Sequence, residues 1–446
     1  MSGRGGGVGP QFDGADGDEI SSARGWVCLE KVLMANEIRH IILFEDGGVN
    51  RLYPLTLTRP VWEILCGMGT LLGRLRKRFR DAELGLWVRD RLVESVKERY
   101  PEVPINQPPQ GDTLLVNGRL VDISVLSDLP PAGGGLFQNS IPMVGVINTN
   151  MALEQFKTGG TAEVIRGLKE CGEVAESAVI SYPWEVVERN EAQIRVDSDS
   201  GENDFFGEVD SRAMIRGVEK VRCGVGTYVG PFSLLDATMG PVMIGNNVTI
   251  ESHVVLEGPL FIDDDVMVRS FTRIRGGSSI GKGCKVAGEI SRSIIHPFSN
   301  KQHEGFLGHS VVGSWCNLGA GTTTSNLKNN YSPVKVQVGN QLVDTGSLFF
   351  GSVIGDHTTT AIGTMLNTGT VVGVGCNVFG AGFPPRYIIS FQWGGAEGLK
   401  RQSFEAVMAI VEAMMTRRKQ PLTPVYRNLL KQVYQQSETH RPLSSS

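Results

Sequence analysis

Residues 244–290 read IGNNVTIESHVVLEGPLFIDDDVMVRSFTRIRGGSSIGKGCKVAGEI, and their spacing decides the fold of the second half of the chain. Ile244, Ile250, Leu256, Ile262, Val268, Ile274, Ile280 and Val286 stand six apart without a miss, and Val248, Val254, Leu260, Val266, Thr272, Ser278, Cys284 and Ile290, each four places further on, are all apolar or small. A period of six fits neither the 3.6 of a helix nor the simple alternation of a flat strand. It fits a coil that turns a corner every six residues, with the hexad aliphatic pointing inward and Gly245 or Gly281 at a bend. Three such sides make one turn of a parallel β-helix. The register resumes at Val312 and Leu318 and again at Ile354, Thr360, Leu366, Val372 and Val378. Residues 292–311 and 324–349 leave it and are expected to protrude as loops, where a solenoid carries its chemistry. The repeat is expected to stop after Pro384 and Pro385. A helical tail over 386–446 follows, with Phe404, Val407, Met408, Val411, Met414 and Met415 at helical spacing and a second helix from about Val425 to Gln435.

Upstream, residues 39–205 alternate short apolar strands with amphipathic helices. Strands are expected at Ile41 to Phe44, Leu84 to Val88, Thr113 to Asn117, Met143 to Thr149 and Ala178 to Ser181. Helices are expected from about Pro60 to Arg78, with Thr58 near its cap, and from about Asp90 to Tyr100. This is βαβαβ, hence a mostly parallel, doubly wound α/β sheet with ligands at the carboxyl ends of its strands. The polar stretch Asp197 to Glu208 reads as the linker to the repeat domain, 209–385. If so, a chain starting near Val209 folds by itself. The first 38 residues, opening SGRGGGVGP, have no periodicity and read as disordered, with Met34 as an alternative start; Trp26 to Leu33 is broken by Glu30 and Lys31 and does not read as a signal peptide.

Composition narrows the function. Gly is 56 of 446 residues, high enough to suit a tightly turned β architecture, and 43 basic against 47 acidic residues give a net charge of −4 with no long block of either sign. Neither nucleic acid nor an anionic membrane is called for. No apolar run approaches the 18 or so residues of a membrane span. The seven cysteines are scattered without metal-ligand spacing. They read as small buried apolar residues in a reducing cytoplasm.

The hexads resemble the left-handed parallel β-helix of acyltransferases. With an α/β domain ahead of them, the chain resembles the bifunctional N-acetylglucosamine-1-phosphate uridyltransferase and glucosamine-1-phosphate acetyltransferase family, as a divergent branch. The local match is Ser299 to Asn326, SNKQHEGFLGHSVVGSWCNLGAGTTTSN. The resemblance implies His303 as general base, Asn317 and Asn326 as substrate-contacting asparagines, Arg275 and Arg292 as sugar-phosphate-binding cations, acetyl-CoA as co-substrate, and a homotrimer. Phe306 stands where the family has tyrosine. The chemistry suits these residue types: imidazole near neutral pH takes a proton from an attacking amine, the Asn317 amide stabilises an oxyanion, and Arg275, Arg292 and Lys301 hold a phosphate.

In the α/β domain the family's phosphate loop corresponds to FEDGGVNRLYPL, residues 44–55, so Gly47, Gly48 and Arg51 are the candidate nucleotide-binding residues. The resemblance implies UTP and Mg²⁺, with Asp46, Asn117 and Asn190 as candidate ligands and Arg119 beside them. Three readings follow: synthesis of UDP-N-acetylglucosamine by acetyl and uridyl transfer, transfer to another sugar phosphate, or a non-catalytic trimer that senses a sugar nucleotide.

Overall fold

The computed structural model describes residues 38–109, 111–148, 164–199 and 205–437. The expected N-terminal extension, 1–38, lies outside them apart from Ile38. The expected α/β unit comes first, its sheet mixed, with three parallel and two antiparallel pairings among the described strands. Its strands are β1 (His40–Phe44), β2 (Glu83–Trp87), β3 (Thr113–Asn117), β4 (Gly134–Gln138), β5 (Ile141–Ile147) and β6 (Lys169–Glu173), ordered β2-β1-β3-β5-β4-β6 with β5 antiparallel to its neighbours. β1 and β3 are central, and side chains alternate between two apolar clusters, Ile41 and Leu43 on one face and Ile42 and Phe44 on the other. That is why they read as unbroken apolar runs.

Several local expectations fail here. The long helix from Pro60 is instead a short 3₁₀ turn, Val61–Glu63, a tight Cys66–Gly69 turn with Gly67 at φ 71°, and then α1, Leu71–Arg78, capped by Thr70. Thr58 caps nothing: its hydroxyl donates to Asp356 of the solenoid at 2.5 Å. Ala178 to Ser181 is not a sheet strand, since Glu176–Ala178 is a 3₁₀ turn and Val179 makes only an isolated bridge to Leu120; β4 and β6 were not foreseen. α2 spans Val93–Arg99. α3, Pro183–Ser198, runs through the start of the expected linker, where Asp197 accepts from Arg74 Nε at 2.8 Å.

The repeats form a three-sided parallel β-helix, as read. Its first face includes Thr249–Ile250, Met267–Val268, Lys285–Val286, Asn300–Lys301 and Asn317–Leu318; its second Val255–Glu257, Arg273–Arg275, Glu289–Ser291 and Phe306–Gly308; its third Leu260–Ile262, Ser278–Ile280, Ile294–Ile295 and Val311–Val312. The hexad aliphatics line one interior cluster. Residues 292–311 do not protrude. They stay in the coil, and the inward positions continue as Val286, Ile290, Ile295, Lys301, Leu307, Val312 and Leu318, with Ile280 paired to Ile295 rather than to a residue 18 further on. Shortened turns moved the register, and a fixed count of six lost it. Residues 325–350 do leave the coil and carry the hairpin Lys335–Val338 and Gln341–Asp344. Nor does the coil stop at Pro385: Tyr387–Ile388 and Gln392–Gly395 add to it, closed by the antiparallel strand Gly398–Arg401. α4 (Phe404–Thr416) and α5 (Pro424–Gln436) follow, and Arg418 beyond α4 reaches back to Gly283 O and Asn300.

The two units are not independent. The third face turns Met243, Phe261, Ile294, Val311, Val353 and Val371 outward into the same apolar cluster as the α/β core. At this junction Arg59 and Thr58 reach buried Asp356, which also accepts from the Ser314 amide at 2.8 Å. Leu65 N–H donates to His296 Nε2 at 3.1 Å. Among the described cysteines, Cys171 is exposed against expectation, while Cys66, Cys223, Cys284, Cys316 and Cys376 are buried and free. No helix among the described residues is long and apolar enough to cross a membrane.

Candidate functional site

His303 stands on the corner between the first and second faces, in the turn 302–305 that joins Lys301 to Phe306, and its side chain is exposed. Asn317 is exposed on the first face one coil further on, where its neighbour in the preceding coil is Asn300. The corner itself changes character along the axis. In earlier coils it carries Phe232, His253 and Phe271 at φ of 59–64°, their rings 5.1 and 5.0 Å apart in succession. From His303's level on it carries Gly305, Gly321, Gly363 and Gly380, all at positive φ. Left-handed corners tolerate glycine without strain, and these glycines remove the rings that earlier corners carry, with Glu304 and Ile362 exposed beside them.

Asn326 lies elsewhere, at the corner between the second and third faces. Its Nδ2 is 2.8 Å from Nδ1 of His309, whose ring stacks on Phe349 at 5.4 Å. Burial, with the charge of Arg292, pushes the His309 pKa down to about 4, so the ring is neutral near pH 7 and its Nδ1 accepts the amide. Between the two corners runs the second face, carrying Glu289, Ser291, Phe306 and Gly308, and a side chain at Gly308 would strike the Phe306 ring. Arg275 pairs with Glu289 at 3.1 Å, and Arg292, at φ 45°, pairs with Glu191 of α3 at 2.6 Å; both arginines remain about half exposed. The α/β domain therefore reaches the edge of this face. Lys301 is not a surface phosphate ligand. Its side chain fills an inward position, 2% exposed, with Nζ donating to Ala287 O at 3.0 Å and His303 O at 2.9 Å. Sequence reasoning gave His309 no role, although HEGFLGH places it one strand past His303.

At the carboxyl ends of β1 and β3 the expected residues do converge, but on one another. Asp46 Oδ1 accepts from the Gly48 amide at 2.8 Å and from Arg119 Nε at 2.9 Å; Oδ2 accepts from Asn117 Nδ2 at 2.9 Å and Arg119 Nη2 at 2.6 Å. Burial works to raise the Asp46 pKa, but Arg119, Asn117 and Gly48 outweigh it and hold the carboxyl below its ordinary value. Gly47, Gly48 and Arg51 lie in the 3₁₀ turn Gly47–Leu52, which Asp46 itself caps. Arg51 extends to Tyr182, with its guanidinium 5.4 Å from the ring centroid. The anion in this cradle is thus the chain's own carboxylate. Asn190 is not part of it: wholly buried at the solenoid junction, it accepts from Gly67 N–H at 2.7 Å and donates to Gly277 O at 3.0 Å. Mg²⁺ in a nucleotide site is ordinarily held by one or two carboxylates with open lone pairs, with waters and substrate phosphates completing its shell. Asp46, saturated and paired with a fully buried guanidinium, does not fit Mg²⁺.

Residues 41–204 match the family described as sugar nucleotidyl transferase. The bifunctional protein GlmU of Rippkaea orientalis is 32% identical over 120 residues, 26% of this chain and 25% of that protein. That of Streptococcus agalactiae is 30% identical over 185 residues, 41% of this chain and 38% of that protein. The chain thus spans a quarter to two fifths of the length of these relatives. The solved structure of an Arabidopsis UDP-N-acetylglucosamine acyltransferase covers 52% of this chain and 89% of its own at 14% identity, with a TM-score of 0.23. By its sequence matches the chain is similar to GlmU, as a divergent relative.

Proposed function

We propose that this protein is a transferase of sugar-nucleotide biosynthesis that moves an acetyl group from acetyl-CoA to the amine of an amino-sugar phosphate, with glucosamine-1-phosphate as the first candidate acceptor. The observation that supports it is the corner at His303: an exposed imidazole beside a row of corner glycines and an exposed asparagine one coil on. In this reading the extended thiol arm of acetyl-CoA follows the corner glycines. His303 removes a proton as the amine nitrogen attacks the thioester carbon, forming the C–N bond. The Asn317 amide donates to the oxyanion, and the C–S bond then breaks to release the thiol. Arg275 and Arg292 hold the acceptor phosphate once it displaces Glu289 and Glu191, since a dianion competes well for a half-exposed guanidinium. A homotrimer would place a neighbour against the exposed parts of the first and second faces, with the Phe232–His253–Phe271 ridge between them. The α/β domain belongs to the same reading as a sugar-nucleotide-recognising module; Mg²⁺-dependent uridyl transfer is not supported by the Asp46–Arg119 arrangement.

The test is thiol release from acetyl-CoA over a panel of amino-sugar phosphates, run beside UTP-dependent pyrophosphate release. His303→Ala should lower acetyl-transfer turnover by about 10² to 10⁴, the range of a general base, with the KM for acetyl-CoA little changed. Wild-type turnover in that variant, or no transfer to any amino sugar, contradicts the proposal.

A further inference from the structure

Lys301 occupies an inward position that Ile250, Val268, Val286 and Leu318 fill with hydrocarbon in neighbouring coils. A lysine there has to be explained, because an ammonium in an apolar solenoid is costly unless its donors are satisfied. The cause lies one coil earlier. In most coils four residues turn the first corner, as 269–272 do between Val268 and Arg273 and 302–305 do between Lys301 and Phe306. Between Val286 and Glu289 only Ala287 and Gly288 remain. The full corner bearing His303 therefore overhangs a short one.

The hydrogen bonds follow this mismatch. Elsewhere the third corner residue's amide bonds the second residue's carbonyl one coil back, as in His253 N to Pro231 O, Phe271 N to Ser252 O and Gly363 N to Ala320 O. At this level the Gly321 amide goes to Glu304 O instead, so the His303 carbonyl has no amide partner from the next coil. Lys301 Nζ takes it, at 2.9 Å, and joins it to Ala287 O at 3.0 Å. Gly288, at φ 75°, is the only residue type that closes the short corner, since a Cβ there would lie 2.7 Å from Gly305 O and 3.0 Å from that same ammonium. Burial pushes the Lys301 pKa down to about 8, with Glu304 opposing, so the group still carries charge near neutrality.

We infer that Lys301 is a positioning residue for His303: its buried ammonium clamps the carbonyl of the base's own residue to the shortened corner beneath and so fixes where the imidazole leaves the prism. This deepens the proposed acetyl transfer and rests on His303 being its base. The experiment compares Lys301→Met, which fits an aliphatic position but donates nothing, with Lys301→Arg, which keeps donors and charge. Both are prepared in the wild-type full-length chain, and Lys301→Met is combined with His303→Ala. Amide hydrogen exchange is read over 302–306 and, as control, over 249–268; thiol release gives kcat and KM. Lys301→Met should speed exchange at 302–306 by about tenfold or more and leave the control coil unchanged. It should lower kcat by at least tenfold with the acetyl-CoA KM within twofold, and add nothing to His303→Ala. Lys301→Arg should recover most of both losses. Unchanged exchange at 302–306, or a penalty that multiplies with that of His303→Ala, overturns the inference. Full turnover in His303→Ala also overturns it, through the base rather than the lysine, and is recognised by a corner that still loosens in Lys301→Met.

Discussion

Replacing Asp356 by alanine should separate the two halves of the molecule energetically. Asp356 is 3% exposed, and around it converge the Arg59 guanidinium, the Thr58 hydroxyl at 2.5 Å and the Ser314 amide at 2.8 Å. Burial alone would raise its pKa, yet Arg59 holds it below the ordinary carboxylate value, so the pair is ionised. Removing one partner of such a pair strands the other charge in an apolar junction, which costs about 3–5 kcal/mol. Replacing both by apolar residues of similar size is often close to neutral. The expected result is an unfolding free energy, read from urea titration, lowered by that amount in Asp356→Ala at pH 7, followed by tryptophan fluorescence from Trp62, Trp184 and Trp315, all buried near the junction. Arg59→Met with Asp356→Leu should regain most of the loss. An Asp356→Ala chain within about 1 kcal/mol of wild type, well under the cost of an orphaned buried charge, refutes the reasoning, because the ion pair then contributes nothing that solvent cannot replace.

Acid should weaken the same junction well before its carboxylates titrate. Burial first of all pushes His296 down to about 3 and His357 to about 4, so above the ordinary 6.5 neither state binds the proton and nothing is gained or lost. Below 6.5 the unfolded chain takes it up and the folded chain does not, and stability falls as pH drops towards 4, by up to about 1.4 kcal/mol per pH unit for each histidine; a urea midpoint unchanged between pH 6.5 and 5 speaks against this. A fragment of residues 209–446 should aggregate, since it uncovers Met243, Phe261, Val311 and Val353; a monodisperse, active fragment on size exclusion is the contrary result. If the proposed trimer forms, Phe271→Glu, on the exposed ridge with Phe232, should shift light-scattering mass from trimer to monomer while leaving Tm within about 2 °C, as surface changes do; an unaltered mass places the assembly contact elsewhere.

How much of this was legible follows from what each signal depends on. The β-helix was legible because its inward aliphatics answer only to the coil, and Ile244 to Val286 repeat without interruption. It became illegible where two corner residues are missing after Val286 and the steps from Ile290 to Ile295 and from Leu307 to Val312 are also short: each shifts every later position, so coil looked like loop from 292 to 311. Similarly, Thr58 and Arg59 read as the approach to a helix, because their real partner, Asp356, is some 300 residues away in sequence and only tertiary packing reveals it. The apolar contact between the two units was illegible for the same reason. Interior and exterior positions alternate along each strand, Val312 inside and Val311 outside, and nothing in the hexad pattern says that the exterior of the third face is covered.

For the candidate site, residue types survived better than their roles. His303 stands at the first corner and Asn317 on the first face one coil on, whereas Asn326 belongs to the far corner with His309, and Lys301 points inward. Spacing along a coil fixes which face a residue is on; it does not fix which way a long side chain turns, and a lysine can satisfy a carbonyl inside as well as a phosphate outside. The α/β end makes the point chemically. Asp46, Gly48 and Asn117 converge at the strand ends as a phosphate site should, but a single cation close in sequence to Asn117, Arg119, converts an open acidic site into a closed pair. A phosphate arriving there has to displace a carboxylate already bonded to the same donors. The affinity of this domain for a nucleotide is therefore a difference between two similar anions, one of which is tethered at high effective concentration, and exchange between them favours the tethered one unless the ligand makes further contacts, for which Ser181, bonded to Arg119 Nη1 at 2.8 Å, and the Arg51–Tyr182 pair are available.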